Sequence, residues 1–83
     1  MTTATRIDRP ELTMPEAEAT LLREHYARAE VILEYGTGGS TALASELPGK
    51  TVFAVESDRD WALMMRAWLK QNPPAAGTEV DVI

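Results

Sequence analysis

The chain has 83 residues, of which 45% are apolar and 25% charged, and its formal net charge is −5. These values fit one small globular domain or a piece of a larger one, and exclude a largely disordered chain. The absence of cysteine excludes a disulfide framework and thiolate metal sites, the single histidine (His25) excludes an imidazole-built zinc site from this chain alone, and the acidic balance makes nucleic acid an unfavourable partner for this segment.

No stretch approaches the roughly 20 apolar residues that span a bilayer. Met1 to Glu11 lacks a signal-peptide core. The expectation is a cytoplasmic protein with no membrane partner.

Met1 to Leu12 is polar and threonine-rich, which reads as a flexible N-terminal arm of residues 1–12. Thr13-Met14-Pro15-Glu16 then predicts a helix start, with Thr13 as N-cap and Glu16 completing a capping box. That helix is expected from about Pro15 to Ala29, with Leu21, Leu22 and Tyr26 as its apolar stripe, Ala19 and Ala29 nearby.

Val31-Ile32-Leu33 is apolar on both faces, which suits a central parallel strand. It runs into Glu34-Tyr35 and a tight loop, Gly36 to Gly39. Ser40 or Thr41 is positioned to cap the next helix, which Pro48-Gly49 stops. Thr51 to Glu56 predicts the second strand. Ser57 or Asp58 caps a third helix from Arg59 to about Gln71, with Trp61, Met64, Met65, Trp68 and Leu69 as its buried stripe. Asn72-Pro73-Pro74 ends that helix, and Glu79 to Ile83 opens a third strand.

Helices alternating with strands predict an α/β fold with a parallel sheet and right-handed crossovers. The expected architecture is a Rossmann-like three-layer α/β/α domain over residues 13–83. The segment is expected to supply only the first half of such a domain, about three strands and three helices.

The chemistry concentrates on a glycine loop framed by two acids. Glycines between a strand and a helix let the backbone turn sharply and let a ligand approach with no Cβ in the way. Amide groups at the helix start are then expected to face that ligand. Glu56 follows Gly36 by 20 residues, the offset at which a strand-end carboxylate accepts both hydroxyls of a ribose. A dinucleotide fingerprint wants G-x-G-x-x-G, and Thr41 stands at its third glycine. Glu34 also opposes a pyrophosphate by like charge, whereas a ligand with a cationic amine would suit it.

Glu34-Tyr35-Gly36-Thr37-Gly38-Gly39-Ser40-Thr41, followed by Glu56-Ser57-Asp58, resembles the first two motifs of class I S-adenosylmethionine-dependent methyltransferases. Glu34, Gly36 and Gly38 match the acid-then-G-x-G-x-G motif. Ser40 departs from its third glycine, with Gly39 beside it. The resemblance covers roughly Val31 to Leu69 and implies S-adenosylmethionine as cofactor.

By that resemblance Glu34 holds the methionine amine, directly or through water. Gly36, Thr37 and Gly38 pass under the cofactor, with Gly39 beside them. Glu56 binds the ribose, and Ser57 and Trp61 lie near the adenine. Two roles are open to Trp61, packing or adenine contact, and two to Tyr35, packing under the first helix or lining the pocket. The catalytic residues and the methyl acceptor are not assigned by the sequence.

A hydrolase elbow is not supported, because the loop lacks G-x-S-x-G. Two further functions compete with the methyltransferase reading: a nucleotide-binding oxidoreductase domain, and a non-catalytic Rossmann-like interaction module. Strand one is expected to leave a bare sheet edge, through which the chain would form a homo-oligomer.

Overall fold

The computed structural model describes residues 6–83. Helix α1 spans Glu16–Arg28, strand β1 Val31–Tyr35, helix α2 Gly39–Ser45, strand β2 Thr51–Val55, helix α3 Arg59–Gln71 and strand β3 Glu79–Val82. The three strands form one parallel sheet in the order β1-β2-β3. Leu33 lies opposite Phe53, and Phe53 opposite Asp81. The alternating α/β architecture expected from the sequence is the one observed.

Alternation along the strands sets which face is covered, because successive side chains point to opposite sides of a sheet. Ile32 and Glu34 are buried in β1, and Val52 and Ala54 in β2. On that face Ile32, Ala44 and Val52 pack with Tyr26 of α1 and Val80 of β3. Ala62, Met65 and Val82 form a second cluster, which Val80 joins to the first. All three helices therefore contribute to the core on one side of the sheet.

The opposite side is open. Val31, Leu33 and Tyr35 are 63%, 58% and 84% exposed. β1 is an edge, as expected for strand one of this segment, and β2 takes the centre. The apolar run of β1 suits cover on both faces, but only its even-numbered face is covered.

Several local expectations are corrected. Thr13 does not cap α1. Pro15 occupies the N-cap with φ −54° and ψ 146°, and no side chain bonds there. Proline has no N–H to satisfy and its ring pre-sets the entry angle, so the helix starts without a hydroxyl cap. Leu21, placed in the α1 stripe, is 55% exposed. Neither Ser40 nor Thr41 is the N-cap of α2. Gly38 is, and both residues lie inside the helix. Asp58 does cap α3, its carboxylate accepting the Trp61 N–H at 3.0 Å. Trp61 is 39% exposed, so it is not part of the buried stripe, which Met65 and Trp68 carry.

Within the expected arm, residues 1–5 lie outside the described residues. Beyond them Arg9 forms a two-pronged ion pair with Glu46, both bonds 2.8 Å, and Pro10 is buried. The Ile7 N–H donates to the Gln71 side chain at 2.9 Å.

Lys50 closes the other end of α1. Its ammonium is largely buried and donates to the carbonyls of Ala27 (2.8 Å) and Ala29 (2.5 Å). A cation there satisfies orphan carbonyls and meets the negative end of the helix dipole. Among the described residues no helix is long and apolar enough to cross a membrane.

Candidate functional site

The C-terminal ends of β1 and β2 lie side by side, with Tyr35 opposite Val55. The segments that leave these strand ends are the glycine loop and Glu56-Ser57-Asp58. The sheet register therefore brings together two motifs about 20 residues apart. Gly36 turns the chain out of β1 at φ +91°, a left-handed conformation that side-chain-bearing residues rarely adopt. Its N–H donates to the Val55 carbonyl at 2.6 Å, which fastens the start of the loop to β2.

Glu56 fastens the rest. One carboxylate oxygen accepts the Thr37 N–H at 2.9 Å and the Thr37 hydroxyl at 3.1 Å. The other accepts the Asp58 N–H at 2.9 Å. Backbone donors from Asp58 and then Thr37 hold the Glu56 carboxyl below its ordinary pKa, because they stabilise its charged form. Trp61 stands over the same loop and donates its indole N–H to the Thr37 carbonyl at 2.5 Å. Glu56, Thr37 and Trp61 thus form one connected group, with Ser57 exposed beside them.

The loop amides do not all face outward as expected. The Thr37 N–H is taken by Glu56, and the Gly38 N–H by the Thr41 hydroxyl at 3.1 Å. Thr41, at the third position of α2, thereby supplies the reverse half of a capping box.

Glu34 lies on the other side of the loop, only 6% exposed. It accepts the Tyr26 hydroxyl on one oxygen and the Thr41 hydroxyl on the other, each at 2.5 Å. Burial and then the bond to Glu34 raise the pKa of the Tyr26 phenol, so the neutral donor form is strongly favoured. Tyr35, by contrast, points into solvent.

A shallow cleft of about 270 Å³ opens along the loop. Tyr35, Gly36, Thr37, Gly38 and Ser40 form one wall, and Glu11 to Met14 the other. Gly39 also borders it, but for a packing reason. A Cβ built on Gly39 would lie 2.3 Å from the Glu11 carbonyl oxygen, so glycine here lets the N-terminal segment cross the start of α2.

Sequence reasoning missed three partners: Tyr26, Thr41, and the second wall from Glu11 to Met14. The sequence marks Thr41 as a failed glycine position and a candidate helix cap, and Tyr26 as an apolar helix residue. Their roles depend on α1 and α2 meeting over Glu34, which no local pattern encodes. Among the described residues no group of three or more His, Asp or Glu side chains is arranged to hold a metal ion.

No family model and no curated protein matches the chain. Among solved structures, the crystal structure of a methyltransferase-like protein from Silicibacter pomeroyi DSS-3 is similar at 69% sequence identity, with a TM-score of 0.89 over 90% of this chain. The chain spans 39% of that protein's length. The resemblance carried by the glycine loop and its two acids thus holds at the level of the fold. The chain carries a fragment of a methyltransferase-like fold, a parallel three-stranded sheet with three helices.

Proposed function

We propose that this chain forms the cofactor-holding part of an S-adenosylmethionine-dependent methyltransferase. The observation that carries the reading is the union of the glycine loop with the strand-end acid: Glu56 binds Thr37 through both its N–H and its hydroxyl. Each carboxylate oxygen has two lone pairs; Thr37 fills both on one oxygen and Asp58 takes one on the other, so Glu56 keeps one site for a ribose hydroxyl while it holds the loop, and the second ribose hydroxyl takes the place of the Thr37 hydroxyl. Gly36, Thr37 and Gly38 present backbone without bulky side chains to the cofactor tail, and Ser57 and Trp61 border the adenine. Methyl transfer depends chiefly on aligning the acceptor with the methyl carbon, so a rigid cofactor platform is this segment's contribution. The methyl acceptor and the residues that position it are outside this assignment.

Isothermal titration with S-adenosylhomocysteine and with NAD tests the reading. Binding of the first and not the second is the expected result, and the reverse would favour an oxidoreductase domain. Glu56→Ala should weaken S-adenosylhomocysteine binding by roughly an order of magnitude, since the ribose hydroxyls lose their acceptor. Unchanged affinity in that variant removes the ribose assignment.

The open face of the sheet favours a second reading, a module that self-associates. Val31 and Leu33 on β1 and Phe53 and Val55 on β2 are exposed side by side on that face, and contiguous apolar surface of this kind marks interaction sites. A strict monomer in multi-angle light scattering, with no ligand bound, leaves this reading without support.

A further inference from the structure

Glu34 is tied into the fold on both of its oxygens, and the bonds form a directed chain. An ionised carboxylate only accepts hydrogen bonds. The Thr41 hydroxyl has one proton and gives it to Glu34 at 2.5 Å. Its lone pairs are then left to accept, and the Gly38 N–H supplies the donor at 3.1 Å. Gly38 adjoins Thr37, whose N–H and hydroxyl reach Glu56. The Tyr26 hydroxyl fills the second Glu34 oxygen from α1 at 2.5 Å.

We infer that Glu34 is a positioning residue that sets the path of the glycine loop through Thr41 and Gly38, locked from α1 by Tyr26, rather than the group that receives a ligand's amine. This rests on the cofactor reading above for its ligand, but not for its geometry. With 6% of its surface exposed, Glu34 acts on the ribose end of the site through the loop: Thr41 fixes Gly38, Gly38 fixes Thr37, and Thr37 fixes Glu56. Loss of one link therefore affects every ligand that uses Glu56, whether or not it has an amine.

The test compares two probes, S-adenosylhomocysteine and 5′-methylthioadenosine. They share the adenosine, and only the first has the amino-acid tail. Thr41→Val, which removes the acceptor of the Gly38 N–H, should raise Kd for both probes by the same factor, roughly tenfold. Thr41→Ser should restore both. Glu34→Gln, which removes the charge at nearly constant shape, should change the two affinities in parallel. A selective loss for S-adenosylhomocysteine in Glu34→Gln, with 5′-methylthioadenosine unaffected, would show direct recognition of the amine and overturn the inference.

Amide hydrogen exchange of the ligand-free protein gives a readout independent of the cofactor. Thr41→Val should speed exchange at Gly38 and Thr37 while Val52 and Ala54 in β2 keep their protection. Equal acceleration everywhere would reveal a merely structural role, and unchanged exchange at Gly38 would show that the loop does not depend on this chain of bonds. Wild-type protein that binds neither probe would end the cofactor reading and leave the exchange result to decide the positioning role.

Discussion

Replacing Gly39 by alanine should destabilise the protein through the N-terminal segment, not through α2. The new Cβ would lie 2.3 Å from the Glu11 oxygen, 2.4 Å from the Glu11 carbonyl carbon and 2.4 Å from the Leu12 nitrogen. All three are backbone atoms, which cannot swing aside as a side chain can. The cheapest relaxation is release of residues 6–12, so the cost is bounded by what their docking contributes. The Arg9–Glu46 pair is about half exposed on both sides and contributes at most about 1 kcal/mol. Burial of Pro10 and the Ile7 bond to Gln71 bring the total to roughly 1–3 kcal/mol.

For a domain of this size each kcal/mol shifts Tm by about 4–8 °C, so thermal unfolding followed by circular dichroism resolves the effect. The decisive comparison is the same substitution in a chain lacking residues 1–12. There the obstructing atoms are gone, and alanine is favoured over glycine in a helix by about 0.5–1 kcal/mol. The effect of Gly39→Ala should therefore change sign, from destabilising to neutral or stabilising. An equal loss in both backgrounds would refute the argument and place the obstruction within α2.

Met65 is fully buried between Ala62 and Val82, and Met65→Ala should cost about 2–5 kcal/mol in urea unfolding; a loss below about 1 kcal/mol would mean that α3 does not pack as described. The lowered Glu56 pKa means that Glu56 contributes stability above its ordinary value of 4.5, and that this is lost as pH falls through the lower folded value. Glu56→Gln should accordingly flatten the acid limb of the stability–pH curve, and an unaltered limb would remove the linkage. The two tryptophans should separate by quenching. Acrylamide should reach Trp61, 39% exposed, and spare Trp68, 3% exposed, so Trp61→Phe should abolish the quenchable fraction. S-adenosylhomocysteine should change the emission of Trp68→Phe protein and leave that of Trp61→Phe protein unchanged.

The sequence by itself determined the order of elements, the parallel α/β character and the glycine loop between two acids. These follow from local causes: apolar runs of strand length, the Asp58 cap, and glycine where the chain must turn at φ +91°. It also located α3 from Arg59 to Gln71, because a cap, an apolar stripe and a double proline bound it. Tertiary structure alone decided which face of β1 is covered and which way Glu34 points. Val31, Ile32 and Leu33 are equally apolar, yet the helices cover one face only, so Ile32 is buried and its neighbours are exposed. Glu34 follows the buried parity of that strand, and there Tyr26 and Thr41 meet it. Whether an acid faces a ligand or the protein's own hydroxyls depends on what packs over its strand, and residues eight before and seven after it carry no local sign of that meeting.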